Sequence, residues 1–303
     1  MIDTKLLILE GLPATGKTTI SQFLQMQLER NGRSVHWFHE VADPHPTIFI
    51  PDGLSLDEQY KRLATEKWAS FAERALSNPN DIYIFDSAVF QFPIFWFLLN
   101  NAPNTDLQDF VRGICNIAAP LKPCLLYLYR EDTEASIDYL EKDRGTQDLA
   151  NFWERDRAMP YYQDKPAGAE GFKQFLQDYA RTAEGLFDAA PCQKAAFQIF
   201  GDDWTCCKNE MLSFLEIERR PSPVSLPPGG VYRNDALNFE ITVDGLSMID
   251  PTGCTRALIP KSCNEFYVER LPAVLRFDHT KQITIAGSQI VEPWTTTGTV
   301  YKK

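Results

Sequence analysis

Leu6-Leu7-Ile8-Leu9-Glu10-Gly11-Leu12-Pro13-Ala14-Thr15-Gly16-Lys17-Thr18-Thr19 reads as a buried strand that runs into a glycine loop and then into a helix. Gly11, Gly16, Lys17 and Thr18 stand at the spacing G-x-x-x-x-G-K-[ST], and each residue type has a task there. Glycines let consecutive backbone N–H groups turn inward around phosphate oxygens. The lysine reaches the outer phosphates, and the hydroxyl that follows it suits Mg²⁺. The surroundings agree with this reading. Before Gly11 lies an apolar run of strand length; after Gly16, Ile20, Phe23, Leu24 and Leu28 recur at helical spacing until Asn31-Gly32 stops them. The N-terminus of such a helix also favours phosphate charge. The stretch therefore predicts a nucleoside triphosphate held by Gly11, Pro13, Ala14, Thr15, Gly16, Lys17, Thr18 and Thr19.

Outward from this loop, short apolar runs alternate with helical patterns as far as about Arg219, which predicts a parallel sheet covered by helices on both faces. Strands are expected at Lys5 to Leu9, Val35 to His39, Ile82 to Phe85, Cys124 to Tyr129 and Ala196 to Phe200. Helices are expected after the loop, over Leu56 to Leu76, in part of Ile94 to Ile117, and over Thr133 to Lys142, Gly171 to Phe187 and Trp204 to Ile217. The fold class is thus α/β, a P-loop NTPase-type parallel five-stranded sheet, with a small antiparallel β domain after it. The boundary is read from Arg219-Arg220-Pro221-Ser222-Pro223 and Pro227-Pro228-Gly229-Gly230, which no helix can cross. This places a first domain at 1–219, a connector at 220–230 and a β domain at 231–303, where Leu237, Phe239, Ile241 and Val243 alternate with polar residues before an Asp244-Gly245 turn. A chain cut after Gly229 is expected to keep a folded nucleotide-binding part.

Composition narrows the function classes. With 44% hydrophobic and 23% charged residues, the 303-residue chain has ample material for a packed core. A net charge of -11 disfavours non-specific binding to nucleic acid or to an anionic membrane, so neither is expected as a partner. The apolar run Val89 to Leu99 is interrupted by Gln91 and Pro93 and falls short of the ~18 residues a membrane span needs. Seven cysteines, odd in number and with no C-x-x-C pair, fit reduced thiols and a cytoplasmic setting.

Four segments resemble the P-loop kinases of the nucleoside and nucleotide group, with thymidylate kinases the nearest pattern. They are the loop Gly11 to Thr19, Glu40 after the second strand, Asp86-Ser87 at the end of the third, and Leu125-Leu126-Tyr127-Leu128 leading to Lys142-Asp143-Arg144. The resemblance implies a lid whose arginines touch the transferring phosphate. It also makes Gly201-Asp202-Asp203-Trp204 the part that cups adenine, which adds Asp202 to the nucleotide-binding set. The departures matter too. Thymidylate kinases place an arginine straight after the third-strand aspartate, where this chain has Ser87 and Ala88; the Glu-Arg-Ser of deoxynucleoside kinases is missing as well. The expected acceptor is therefore an unphosphorylated hydroxyl compound.

Roles follow from what phosphoryl transfer asks of a protein, which is positioning and charge neutralisation. Lys17 is expected to bridge the outer phosphates, and Thr18 and Asp86 to hold Mg²⁺ with ATP as donor. Glu40 is the expected general base, with Asp43 and Asp86 as rivals. Arg144 leads the lid candidates, ahead of Arg155 and Arg157, with Arg130 in reserve. Arg62, Phe90 and Gln91 are candidates for the acceptor side. The chain is thus expected to be an ATP-dependent phosphotransferase acting on a small molecule, with the β domain covering the acceptor cleft or joining two copies as a homodimer. Two other readings stay open: a nucleoside or nucleoside-monophosphate kinase, and a nucleotide-operated regulatory switch.

Overall fold

The computed structural model describes residues 2–48, 56, 58–201, 203–280, 282–287 and 289–303. Strand β1 (Leu6–Gly11) is buried along its whole length, as a strand covered on both faces must be. It is followed by α1 (Lys17–Arg30), β2 (Ser34–Phe38), α2 (Glu58–Ser77), β3 (Asp81–Asp86), α3 (Gln91–Leu99), α4 (Asn104–Ala118) and β4 (Cys124–Tyr129). Helices α5 (Thr133–Arg144), α6 (Thr146–Asp156) and α7 (Ala169–Ala189) come next, then β5 (Gln193–Gln198) and α8 (Thr205–Phe214). The strands form one sheet in the order β2-β3-β1-β4-β5, and β1 pairs in parallel with both β3 and β4. This is the parallel five-stranded sheet expected from the phosphate loop and its flanking strands. Because chain order departs in both directions from β1, its carboxyl end lies at a switch point, where open α/β sheets bind ligands.

Aromatic rings fix how the helices sit on this sheet. Trp68 and Phe71 of α2 pack on Phe85 of β3, with ring centroids 5.6 and 4.8 Å away, while Phe95 of α3 meets Phe175 of α7 at 5.4 Å. The stretch Ile94 to Ile117 holds parts of two helices, α3 and α4, separated at Asn100 to Pro103. Strand β5 begins at Gln193, three residues before the expected start. The charged segment after α5 contains the additional helix α6.

The C-terminal strands are β6 (Gly230–Asn234), β7 (Phe239–Asp244), β8 (Ser247–Ile249), β9 (Thr255–Pro260), β10 (Glu265–Val268), β11 (Val274–Phe277), β12 (Ile283–Ala286) and β13 (Val300–Tyr301). They form a second sheet in consecutive order, a meander of antiparallel neighbours. Arg233 and Lys302 exchange two backbone hydrogen bonds of 2.7 and 2.8 Å, so the meander joins its first strand to its last, and its exposed edges are reduced. Side chains fill the interior: Tyr232, Ile241, Phe266, Leu275, Trp294 and Tyr301 are essentially inaccessible. The buried hydroxyls are satisfied, Tyr232 donating to the Pro228 carbonyl at 2.6 Å and Tyr301 to that of Trp294 at 2.9 Å.

By packing, the chain divides into two compact units. The first comprises Met1–Lys17, Arg33–His36 and Pro46–Ile217; the second comprises Thr18–Gly32, Trp37–His45 and Glu218–Lys303. Most of α1 and the segment after β2 thus pack with the C-terminal strands.

Candidate active site

In the first unit the phosphate loop leaves β1 at Gly11, whose φ of +144° lies outside the range of ordinary L side chains. A Cβ there would overlap the carbonyl oxygen of Leu128, its register partner on β4. Thr15 is wholly buried, and its hydroxyl donates to the Leu12 carbonyl at 2.7 Å, so its side chain braces the loop and only its main chain is left for a ligand. Gly16, at φ +83°, lies against the Trp204 ring with no room for a Cβ. Lys17 is 7% exposed, and its ammonium donates to the Gly11 and Leu12 carbonyls, both at 3.0 Å. Those partners are neutral oxygens of the loop itself. A buried ammonium whose direct hydrogen-bond partners are neutral carbonyls suits an incoming polyanion, which brings it charge-assisted bonds.

Asp86 ends β3 in register with Leu9 and is fully buried. Ser87 then turns the chain in a left-handed conformation, φ +64°, and its N–H donates to the Leu9 carbonyl at 3.0 Å. The turn is held by a residue outside the sequence-derived set, Glu10. Its Oε1 accepts the backbone N–H groups of Ala88, Val89 and Phe90 at 3.0, 2.8 and 2.9 Å. Phe90 is the N-cap of α3, whose start has no side-chain cap of its own, and Ala88 and Val89 lie in the turn that leads to it. Burial nevertheless pushes the Glu10 carboxyl above its ordinary pKa, against the three backbone bonds and the Lys17 charge. Glu10 Oε2 and Ser87 Oγ are buried without a partner among the described residues. One signal in the sequence points to Glu10: it is the single charge in a strand otherwise apolar as far as its closing glycine, and a charge buried there requires dedicated partners.

Arg130, at the end of β4, is 5% exposed. Its guanidinium donates to the Gly201 carbonyl at 3.1 Å and to that of Ala14 at 3.5 Å, and it lies 3.4 Å from the centre of the Tyr139 ring. It therefore ties the phosphate loop to the loop after β5, where Trp204 sits on Gly16. Arg144 closes α5 in an exposed position. Arg155 is paired with buried Asp156 through bonds of 2.8 and 2.7 Å, and Arg157 with Glu154 at 2.7 Å. Arg62 pairs with Glu66 on an exposed face, and Phe90 is wholly buried at the start of α3. Asp202 lies outside the described residues. A cleft of about 480 Å³ opens beside the loop, lined by Leu12, Thr15, Tyr127 and Phe187. Glu131, Asp132, Glu184 and Asp188 also line it, an acidic border that repels a triphosphate.

In the second unit, Thr18 and Thr19 form the half-buried first turn of α1, and Glu40 lies half-buried in the turn after β2. Gln289 holds the chain just before Glu40: its amide donates to the Trp37 carbonyl at 2.6 Å and accepts the His39 N–H at 3.2 Å. Asp43 is exposed. Among the described residues no group of three or more His, Cys, Asp or Glu side chains is arranged to hold a metal. Thr18 carries a hydroxyl and Asp86 a carboxylate, hard oxygen donors of the kind that Mg²⁺ takes beside phosphate and water. No helix among the described residues is long and apolar enough to cross a membrane.

No family model matches the sequence, and no curated protein resembles it in sequence. Solved structures do match. A thymidylate kinase from Ehrlichia chaffeensis is 13% identical over 71% of this chain and 99% of its own, with a TM-score of 0.44. A deoxyadenosine kinase from M. mycoides, with dCMP and dCDP bound, is 17% identical over 70% and 98%, with a TM-score of 0.40. Kti12 from Chaetomium thermophilum, in complex with ADP-AlF3, is 16% identical over 70% and 97%, with a TM-score of 0.37. The fold described above rests on this chain's own strand order and phosphate loop.

Proposed function

We propose that the chain is an ATP- and Mg²⁺-dependent phosphotransferase that moves the γ-phosphoryl group to a hydroxyl of a small molecule. The observation that carries this reading is the buried Lys17 ammonium, held by two neutral loop carbonyls at the carboxyl end of β1. In this reading Lys17 neutralises charge on the transferring group, and Thr18 and Asp86 hold Mg²⁺, which when bound screens the phosphate charges. Glu40 takes the acceptor proton, with Asp43 and Asp86 as its rivals, and Arg144 is the lid cation. Arg130 braces the loop against the base side. Gly11, Ala14, Thr15, Gly16 and Thr19 contribute main-chain donors, Pro13, which has no N–H, shapes the loop through its fixed φ, and Asp202 contributes to the base side.

The turn after Asp86 supports an acceptor without a phosphate. It carries Ser87 and Ala88 where a cation would be needed, and the N–H groups of residues 88–90 are already committed to Glu10. The test is a panel of nucleosides, nucleoside monophosphates, sugars and amino alcohols with labelled ATP, run on wild type and on Lys17→Ala. The variant should keep its melting temperature and lose turnover by about a hundredfold or more. Near-normal turnover would sink the phosphate-loop assignment, and phosphorylation of monophosphates alone would sink the acceptor class.

A further inference from the structure

Helix α1 carries on its buried side two amides, Gln22 and Gln27, each 3% exposed. Both find partners in the C-terminal part of their own unit. Gln22 Nε2 donates to the carbonyls of Val268 and Leu271 at 2.7 and 3.1 Å, and its Oε1 accepts the Arg270 N–H at 2.8 Å. Val268 ends β10, and Arg270 and Leu271 lie in the turn from it to β11, where Arg270 is left-handed at φ +59°. Gln27 does the same on the connector, accepting the Arg220 N–H at 2.8 Å and donating to its carbonyl at 3.1 Å. At the last turn of α1, Glu29 accepts the Tyr267 hydroxyl at 2.6 Å and pairs with Lys261. An apolar face alone would let the helix rotate or slide on the strands. Directional bonds at its second, third and last turns fix both motions.

Gln22 stands one turn after Thr18 on the same helix, so the rotation that Gln22 fixes is also the rotation that aims the Thr18 hydroxyl. We propose that Gln22 is a positioning residue, through which the β10–β11 turn sets the pose of the first turn of α1 and hence the Mg²⁺-dependent part of nucleotide affinity. The inference rests on the reading of the chain as a binder of Mg²⁺ and ATP. It gives the C-terminal strands a task in that site.

The experiment uses the full chain and ATP as probe, with affinity measured in EDTA and in excess MgCl₂. Gln22→Met keeps the length of the side chain and removes its polar atoms. It should lose about tenfold of the tightening that Mg²⁺ brings, while its affinity in EDTA stays within about twofold of wild type. Hydrogen exchange at residues 18–22 should rise in the same variant. If that variant does not fold, Gln22→Glu carries the test, since it keeps the acceptor for the Arg270 N–H and sets a carboxylate against two carbonyls. An unchanged Mg²⁺ increment, or an equal loss with and without Mg²⁺, overturns the proposal. If wild type binds ATP under neither condition, the functional reading fails instead, and unchanged exchange at residues 18–22 in the variant would still overturn the positioning role.

Discussion

Glu10 sits where burial, hydrogen bonding and charge act on one carboxyl. Its raised pKa means that the folded state favours the protonated form, so its contribution to stability is whole below about 4.5, its ordinary value, and is lost as pH rises through the raised one. Glu10→Gln keeps an oxygen for the three N–H groups and removes the charge. Melting curves between about pH 4 and pH 8 should therefore show the variant gaining on wild type as pH rises. A constant difference would mean that Glu10 does not titrate in this range. Gly11→Ala tests the loop's entry. The added Cβ overlaps the Leu128 carbonyl at a backbone conformation that L residues avoid, and the expected loss is of order 2 kcal/mol in chemical denaturation. Arg130 and Arg144 separate in the same way. Arg130 is buried, bonded to the loop and stacked on Tyr139, so Arg130→Ala should lower both the melting temperature and ATP affinity, whereas exposed Arg144→Ala should leave the melting temperature unchanged.

At the scale of elements, the strands that matter most to the loop were legible in sequence. β1, β3 and β4 are apolar runs of strand length bounded by turn residues, and β4 falls on its expected range Cys124 to Tyr129. Helix α6 was not legible as a helix, because its charges and arginines match a solvated lid as well as an amphipathic helix. Burial of Leu149 and the stacking of Phe152 on Phe172 of α7, centroids 5.0 Å apart, decide the matter. β6 and β13 were equally hidden. One begins at Gly230 in a proline- and glycine-rich stretch and the other spans two residues, so each is a strand only because the other sheet members pair with it. Cutting the Arg233–Lys302 link, by ending the chain at Thr299, should leave β6 and β12 as open edges, and light scattering should report association that full-length protein lacks.

For the whole molecule, the packing of α1 sets the consequence of truncation. A chain ending at Gly229 retains Gln22 and Glu29 but lacks the turn and strand that satisfy them. The expected outcome is a broadened melt with dye-binding apolar surface, followed by calorimetry and ANS fluorescence; a sharp wild-type melt would show that α1 needs no partner beyond the connector. By itself the sequence determined the phosphate loop, the alternation of strands and helices behind the parallel sheet, and the change of texture near Arg219. Those features rest on local chemistry: glycine spacing, hydrophobic period and proline. Tertiary structure alone decided that Glu10 holds the turn after Asp86, that Arg130 ties the loop to the Gly201 carbonyl, and that α1 packs with strands more than two hundred residues away. Each of these is a polar group finding a partner across the chain. No local pattern encodes such a pairing, because it depends on which backbone donors and carbonyls the fold leaves unsatisfied beside it.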